Sequence, residues 1–465
     1  VCFLEQGMVR DYMLATAADT IMMAPPGRLY TFGLRIEMMF LGEALEKAGI
    51  QAQFVNLGRF KTAAHRFTRD EATIPQKVMM GHLLHGMADN VTDRIARRRQ
   101  VEVATARSIF DEAPLSAREA RRLGLIDHVG YADEVIETLE KEGDCKRKVI
   151  LQSPMQYLGS AAPRFKWRPL VSRTPEIAVL NLKGVIMHDG VGGPMGMKQL
   201  VTPKPVVAQL RALEKNKRVK AVVIHIDSPG GSAIGSDIIW RHIRKLAAVK
   251  PVIASLGNVA ASGGYYIAVA ADTIVAQPSS ITGSIGVIAG KLSGGDLLDK
   301  LGIKMQGLEV GETAAFGSIA DAMSEREMEN LTRDIRGFYR RFLHRVATGR
   351  NISRRRIHRL ARGRVYTGER AMRLGLVDHI GDLDKAIEVA CDKAGVRRDK
   401  VAVRFVDHRP DPLREMLSRN TDTSAFVASA VSDLLPASLE IPAAVALLMR
   451  EPTTLALMPM LPKPA

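Results

Sequence analysis

The sequence predicts an α/β fold built as a tandem repeat of two related domains, and two matches within the chain support this prediction. Residues 259–274 read "VAASGGYYIAVAADTI", and residues 6–21 read "QGMVRDYMLATAADTI", at an offset of 253 residues. Further along, "MRLGLVDHIG" at 372–381 matches "RRLGLIDHVG" at 121–130 at an offset of 251 residues. Matches at a nearly constant offset over most of each half indicate a duplicated domain.

Within the second copy, the hydrophobic pattern alternates between strands and helices. Three apolar runs of strand length are "VKAVVIHI" at 219–226, "PVIASL" at 251–256 and "TIVAQ" at 273–277. Between them, "AIGSDIIWRHIRKLAAV" at 233–249 has helical spacing, and "GGYYIAVAAD" after Ser262 is a second helical segment. This alternation predicts a mostly parallel sheet covered by helices, with ligand chemistry at the strand-to-helix turns.

The repeat also predicts the domain organisation. The first copy begins at the counterpart of the segment just before Ser262, so the front part of this domain is missing from the sequence. We therefore expect a preceding N-terminal piece that carries any anchoring segment. The predicted segments are an incomplete first copy at 1–140, a proline-containing basic linker at 141–175, a second copy at 176–409 and a tail of unknown role at 410–465.

Composition excludes several classes of function. The net charge is +16 and arginines cluster at 94–100 and 350–364, but aromatic residues make up only 5% of the chain. Without a stacking platform or finger spacing, these runs favour solvated helix faces over a nucleic-acid partner. Cys2, Cys145 and Cys391 are far apart and odd in number, which predicts neither a metal site nor a disulfide framework. We expect no metal and no cofactor.

Ser262 is the candidate nucleophile. It lies where a strand and a short turn lead into a helix, beside backbone amides that have no partner within the helix. The amide of Gly263 can donate to an oxyanion at this point, because glycine lets the backbone approach a substrate closely. "SPGG" at 228–231 offers a second donor, with Gly231 favoured and Gly230 next. The structural alternative is a serine that caps the helix, with glycines that serve packing.

A serine nucleophile needs a base, and histidine is its usual partner. After Ser262 the next histidine is His344, and His225 lies inside a predicted strand, so a Ser-Lys pair becomes the next candidate. A lysine with an ordinary pKa of about 10.4 is only about 0.4% neutral at pH 8. A lysine base must therefore be desolvated in an apolar cleft, because desolvation lowers its pKa.

Lys61 is the candidate base, because the two copies have complementary replacements. The first copy carries Lys61 in "GRFKTAAHRF", where the second copy has Ala314 at the 253-residue offset. The second copy carries Ser262, where the first copy has Val9. One composite site formed across two domains or two chains would explain why the first copy has no such serine and the second copy has no such lysine. The alternative is a lysine that lies on the surface and has no catalytic role.

These residues carry a resemblance to a known family. "SPGG", "AASGGYY" and "TGSIGV" in the second copy, with "GRFKTAAHRFTRD" in the first, resemble the long tandem form of bacterial signal peptide peptidase A, or protease IV, over about 1–410. The resemblance implies a fold of the Clp protease and crotonase type in both copies. It assigns these roles: Ser262 as nucleophile, Lys61 as general base, Gly231 and Gly263 as oxyanion donors, and Ser284 in "TGSIG" as the hydroxyl that orients the lysine.

The same resemblance implies a serine endopeptidase that degrades cleaved signal peptides and similar apolar peptides. It implies a homotetramer at the periplasmic face of the bacterial inner membrane, held there by an N-terminal anchor. Two alternatives stay open. One is a crotonase-like acyl-CoA hydratase or isomerase of the same fold, which would leave Ser262 and Lys61 without a role. The other is a non-catalytic scaffold in which the repeat serves assembly alone.

Overall fold

The chain divides into two compact units. The computed structural model describes residues 1–135, 174–188, 200–407 and 455–457. The first unit consists of Val1–Ile36 and Leu84–Arg173, and the second of Glu37–Leu83 and Thr174–Ala465. Most of the predicted linker at 141–175, most of the predicted tail at 410–465 and Cys145 lie outside the described residues. The domain boundaries taken from the repeat therefore stay a prediction.

The first unit contains two three-stranded sheets around one apolar core. Its core includes the fully buried side chains of Tyr12, Ile21 and Leu125. One sheet is parallel and contains Cys2–Leu4, Ile21–Met23 and His128–Val129. The other is mixed and contains Gly7–Met8, Arg28–Tyr30 and Leu115–Ser116. The helices are Val9–Ala15, Val103–Ser108, Ala117–Arg122 and the end of Ile74–Arg99, which begins among the residues of the second unit.

The second unit is built on an eight-stranded, mostly parallel central sheet. The strands Val252–Ala261 and Val219–Ser228 lie side by side at its centre, and each ends close to a glycine of the candidate site. The path through this sheet is Val365–Thr367, Ile281–Gly283, Val252–Ala261, Val219–Ser228, Glu176–Lys183 and Ala402–Asp407, with Thr273–Ala276 and His379–Ile380 attached beside Val252–Ala261.

A second sheet of the same unit carries strands from distant parts of the chain. Gln51–Leu57 pairs antiparallel with Val287–Ser293 over its whole length, which is why residues 37–83 belong to this unit. The full order is Leu200–Val201, Val185–Ile186, Gly230–Ser232, Leu455–Leu457, Val287–Ser293 and Gln51–Leu57.

Helices cover both faces of the central sheet, because side chains alternate along its strands. On Val219–Ser228, Val222 and Ile224 join the larger apolar core, whereas Val223 packs on the opposite face with Ile387. The larger core also buries Tyr265 of the helix that follows Ser262. The helices of this unit are Gly42–Ala48, His65–Thr68, Pro203–Lys215, Ala233–Ala247, Gly263–Ala268, Gly295–Lys300, Glu325–Gly349, Arg354–Leu360, Gly368–Arg373 and Leu383–Ala394, with short 3-10 turns at Ala314–Gly317 and Arg398–Lys400.

Equivalent contacts in the two copies support the repeat. The Tyr12 hydroxyl donates to the Leu125 carbonyl at 2.7 Å, and the Tyr265 hydroxyl donates to the Leu376 carbonyl at the same distance. The two copies also share a pair of arginine-aspartate ion pairs at matching positions, Arg99–Asp127 and Arg350–Asp378. Both arginines come from the basic runs noted in the sequence and are largely buried against their partners.

The predicted alternation of strands and helices in the second copy is confirmed, with shifts in its boundaries. The largest shift is at the predicted strand 251–256, which runs on to Ala261. Gly257 lies inside this strand, and a Cβ placed on it would come within 3.0 Å of the Asp227 Cβ, which accounts for a residue without a side chain at this position. Within the described residues, no helix combines the length and hydropathy needed to cross a bilayer.

Candidate active site

Ser262 occupies a strained turn at the end of the central strand. Its φ of 54° and ψ of −116° lie outside the regions that non-glycine residues favour. The turn is held at both ends, since the Ser262 amide donates to the Gly283 carbonyl at 2.9 Å and the Ser262 carbonyl accepts from the Tyr266 amide at 2.8 Å. The Ser262 side chain makes no hydrogen bond that caps the helix. The alternative of a structural N-cap serine therefore lacks its defining contact.

Lys61 lies in the same compact unit, immediately after the strand Gln51–Leu57. That strand pairs with Val287–Ser293, which follows Ser284 in the chain. The pairing therefore places the segment that contains Lys61 close to Ser284 and to the turn at Ser262. The Lys61 side chain is completely buried, with no exposed surface. It is one of the largest fully buried side chains of the chain, and the alternative of a surface lysine does not describe this structure.

The Lys61 amine makes three short contacts. Its Nζ lies 2.7 Å from the Ser262 Oγ, 3.1 Å from the Ser284 Oγ and 3.1 Å from the Ser284 carbonyl oxygen. A neutral amine has two N–H donors and one lone pair. A neutral Lys61 amine that donates both N–H groups to Ser284 would have its lone pair available to the Ser262 hydroxyl, as a general base requires.

Burial lowers the pKa of Lys61 well below its ordinary value of 10.5. Desolvation is the cause, because the ammonium form loses its hydration in an apolar surrounding and no carboxylate is placed to compensate. The described residues contain no ion pair to this amine. A lysine base must be desolvated, and Lys61 meets this requirement.

The predicted lysine-orienting residue, Ser284, is also buried and strained. Its φ is 51°, and its amide donates to the Arg364 carbonyl at 2.6 Å. Both its hydroxyl and its carbonyl oxygen face the Lys61 amine. The structure thus brings Ser262, Lys61 and Ser284 together around one nitrogen atom.

The two predicted oxyanion donors lie next to each other. A Cβ placed on Gly263 would come within 3.3 Å of the Gly231 amide nitrogen, so the two backbones are in contact. Gly231 has a φ of 146°, which favours glycine, and a Cβ there would collide with the Ile186 carbonyl. The two predicted donors therefore lie side by side next to the Ser262 turn.

Substitution of Gly231 tests this placement. Gly231→Ala is expected to lower kcat/KM for peptide hydrolysis by about 10²–10³-fold, the loss seen when an oxyanion donor is displaced. The reason is the backbone collision with Ile186, which must move the amide. The measurement is peptide hydrolysis beside the control Gly337→Ala, whose added Cβ meets nothing within 4 Å. Equal activity of the two variants would show that the Gly231 amide has no role.

A short segment of the chain pairs with the glycine strand beside this site. Leu455–Leu457 lies antiparallel to Gly230–Ser232, with Ala456 opposite Gly231. On its other side, Leu455 pairs with Ile288 of Val287–Ser293. The edges of these two strands therefore accommodate an extended peptide backbone between them.

A segment that holds Lys61 in place is not predicted by the sequence. Gly363 has a φ of 82°, and a Cβ there would collide with the Lys61 backbone. The preceding carbonyl, of Arg362, accepts from the Phe60 amide at 2.9 Å, and the Arg364 guanidinium stacks 4.0 Å above the Phe60 ring. The "ARGR" run at 361–364 offered only basic charge as a signal, so its supporting role was not visible.

Other candidate groups lie away from this site. His225 contacts the Ser255 Oγ at 3.2 Å, and burial lowers its pKa, but it makes no contact with Ser262 among the described hydrogen bonds. Cys2 and Cys391 are free cysteines. No group of three potential metal ligands is found in the part of the chain that the structure describes.

The site combines an α/β fold with a buried amine at a strained serine turn, and comparison with known families identifies the family. The model of peptidase family S49 matches residues 5–146 and 244–397, together more than half of the chain. The chain belongs to this family. The Clp protease model also matches residues 198–281, and the two S49 segments confirm the predicted tandem organisation.

Relatives match along most of the chain. The chloroplastic serine protease SPPA of Arabidopsis thaliana is 30% identical over 86% of this chain and 59% of its own length. Protease 4 of Salmonella typhi is 27% identical over 92% of this chain and 69% of its own length. A solved structure of a ClpP1 mutant from Listeria monocytogenes aligns with 45% of this chain and 94% of its own, at 16% identity and a TM-score of 0.30. The chain thus spans about three fifths to two thirds of the curated relatives.

Proposed function

We propose that this chain is a serine peptidase that works through a Ser-Lys dyad, in which neutral Lys61 is the general base for Ser262. The observation that carries the proposal is the 2.7 Å contact between the buried Lys61 Nζ and the Ser262 Oγ. Desolvation lowers the pKa of Lys61 and so favours the neutral amine, whose two N–H groups can donate to Ser284. Among the described residues, no histidine contacts Ser262 to serve as an alternative base.

The proposed cycle has two halves. Lys61 accepts the Ser262 proton while Oγ forms a bond to the peptide carbonyl carbon, and the amides of Gly231 and Gly263 stabilise the oxyanion. Collapse breaks the C–N bond, and the Lys61 ammonium gives its proton to the leaving amine. Water then gives a proton to Lys61 and attacks the acyl carbon, and Ser262 leaves with that proton restored.

We propose an extended apolar peptide as the substrate. The edges of Gly230–Ser232 and Val287–Ser293 already pair with the backbone of Leu455–Leu457, so a substrate segment can add as a strand in the same place. Main-chain pairing beside Gly231 would bring a peptide carbonyl close to the oxyanion donors. Cleaved signal peptides have the required apolar character.

The remaining expectations are proposals of the same kind. They are a homotetramer, an N-terminal membrane anchor and a location at the periplasmic face of the bacterial inner membrane. The crotonase-like thioester chemistry is disfavoured, because the matched family is one of peptidases and a thioester mechanism would leave the Lys61–Ser262 contact unused. A scaffold role likewise leaves the buried amine without a purpose.

A serine-directed phosphonate tests the dyad through its pH dependence. We expect one equivalent to attach to Ser262, at a rate that rises with pH and reaches a plateau below the ordinary lysine pKa of 10.5. The sign follows from the lowered pKa of Lys61: protonation removes the base at low pH, and the neutral form accumulates once the pH exceeds the folded pKa. Labelling rate and site are measured by intact mass and peptide mapping.

Ser284 is an internal control for this experiment. It is also fully buried, and its Oγ contacts the same nitrogen at 3.1 Å. Labelling at Ser284 in place of Ser262 would exchange their proposed roles. A rate that follows an inflection at the ordinary lysine pKa of 10.5 or above would show that Lys61 is not the base.

A further inference from the structure

An arginine-rich surface lies next to the segment that holds Lys61. We call it the arginine surface, and it consists of eight residues: Arg59, Arg354, Arg355, Arg356, Arg359 and Arg370, which are exposed, and Arg362 and Arg364, which are half-buried. None of these arginines forms an ion pair with any residue that the structure describes. Glu369 is the one acidic residue between positions 350 and 370, and it is paired with Arg373. The surface is therefore positive throughout, and such a surface attracts anions.

Short contacts join arginines from distant parts of the sequence. The guanidinium carbons of Arg59 and Arg364 lie 5.0 Å and 4.0 Å from the centroid of the Phe60 ring. The Arg364 guanidinium also donates to the carbonyl of Arg359 at 2.6 Å, which connects it to the helix Arg354–Leu360. The arginines before Lys61 and those of residues 354–364 therefore form one continuous surface within the second unit.

The aromatic rings of this surface support guanidiniums and do not face the solvent. Phe60 and Tyr366 are 5% and 6% exposed, and the Arg370 guanidinium lies 6.0 Å from the centroid of the Tyr366 ring. A guanidinium that stacks on a ring keeps the N–H groups in its plane free to bind an anion. A surface that binds single-stranded nucleic acid instead exposes rings on which bases stack. The arginine surface is therefore suited to phosphate oxygens and offers no platform for bases.

The first copy builds the same element without these arginines. Its helix Val103–Ser108 corresponds to Arg354–Leu360 at the 251-residue offset, and each helix has one fully buried residue at the matching position, Ala106 and Ile357. The counterparts of the arginines are all non-basic: Val103, Ala104, Thr105, Ser108, Asp111, Ala113 and Glu119 at the 251-residue offset, and Glu312 for Arg59 at the 253-residue offset. The fold therefore does not require a basic residue at any of these positions.

The arginines are also unfavourable for the isolated chain. Three of them, at 354–356, follow the N-cap Ser353 directly and occupy the first turn of their helix, where the helix dipole disfavours positive charge. Burial lowers the pKa of Arg364, and the like charges of Arg362 and Arg59 add to this effect. Anions bound at this surface would relieve both kinds of repulsion.

We infer that the arginine surface binds the phosphate headgroups of anionic phospholipids at a membrane. Guanidinium groups bind phosphate through paired N–H donors, and a membrane presents many phosphates over an area. This matches arginines that are spread along a helix and its flanking segments and do not converge on one point.

The position of the surface has a consequence for the active site. Residues 361–364 belong to it and also contact the Lys61 backbone, so lipid binding would hold the active site near the bilayer, into which apolar peptides partition. Only this consequence rests on the proposed function. Lipid binding itself is measured without peptide turnover, so a failure of the dyad and a failure of the lipid surface are distinguishable.

Co-sedimentation with vesicles tests the surface. The chain is mixed with vesicles of equal parts phosphatidylglycerol and phosphatidylcholine, and with vesicles of phosphatidylcholine alone. We expect binding to the anionic vesicles that is lost at high salt, because salt screens exposed charges. Combining Arg354→Gln, Arg355→Gln and Arg356→Gln is expected to weaken this binding about 100-fold, since each arginine near an anionic surface contributes roughly fivefold.

A charge-matched variant is the control. Combining Arg94→Gln, Arg97→Gln and Arg98→Gln removes the same charge from exposed positions of the other basic run, and we expect it to bind nearly as the wild type does. Equal losses in the two variants would show that net charge and not this surface determines binding. Phosphonate labelling of Ser262 is measured in parallel, and both variants are expected to label at the wild-type rate.

Three further outcomes would overturn the inference. Equal binding to both kinds of vesicle would assign the association to apolar contacts. Inorganic phosphate that displaces the chain from vesicles more strongly than chloride does at the same ionic strength would assign the arginines to a site for a free anion. An RNA oligonucleotide that binds more tightly than the anionic vesicles would assign them to nucleic acid.

Discussion

Lys61→Met is expected to lower kcat/KM for peptide hydrolysis by about 10⁴- to 10⁶-fold, as loss of the base does in serine peptidases. Methionine fills nearly the same volume but has no proton acceptor for the Ser262 hydroxyl, which lies 2.7 Å from the Lys61 Nζ in the wild type. Peptide hydrolysis measured across the pH range should show no rising limb, because no neutral amine forms.

The stability of this variant separates chemistry from folding. Lys61 is fully buried and burial penalises its charged form, so replacement with an apolar side chain is not expected to lower the free energy of unfolding. Thermal unfolding gives this measurement. A large fall in Tm together with lost activity would instead assign Lys61 a structural role.

A chemical rescue sharpens the result further. Lys61→Cys, prepared in a chain whose native cysteines are replaced by serine, alkylated with bromoethylamine in the unfolded state and then refolded, carries an amine at nearly the length of lysine. We expect part of the activity to return, with its pH inflection moved downward because the sulfur makes the amine less basic. Recovery with an unmoved inflection would show that another group controls the pH profile.

Ser262→Ala is expected to have an equally large effect, about 10⁴- to 10⁶-fold on kcat/KM, because no acyl-enzyme can form. The Ser262 hydroxyl makes no helix-capping bond, so its removal should leave the Tm within a few degrees of the wild type. Peptide binding should persist, since the strand edges of the cleft are unchanged. Retained hydrolysis by this variant would end the proposal, and hydration of enoyl thioesters would favour the crotonase-like alternative.

A mixture of the two inactive variants decides whether the site belongs to one chain. Lys61 and Ser262 lie in the same compact unit and are already in contact there. Lys61→Met mixed with Ser262→Ala should therefore remain inactive even after unfolding and refolding together. Recovery of about a quarter or more of the activity would mean that the lysine of one chain serves the serine of another.

The candidate site could be predicted from the sequence to an unusual degree, because duplication supplies an internal comparison. Val9 opposite Ser262 and Ala314 opposite Lys61 singled out the two residues that the structure places in contact, without any histidine to suggest a base. The groups that hold Lys61 in place could not be predicted in this way. Gly363 and Arg362 hold the Lys61 backbone from about 300 residues further along the chain, and no local pattern connects them to it.

The sequence by itself determined the α/β alternation, the repeat and the chemical groups of the site, since periodicity and residue type are local properties. Only the tertiary structure decided that Gln51–Leu57 pairs with Val287–Ser293, and hence that Lys61 meets a serine 201 residues away within one unit. The residue pattern of a strand specifies which of its faces is apolar, but it does not specify which other strand the edge will pair with. Desolvation of the amine depends on that choice, because burial arises from every element packed around a group and not from its neighbours in the chain.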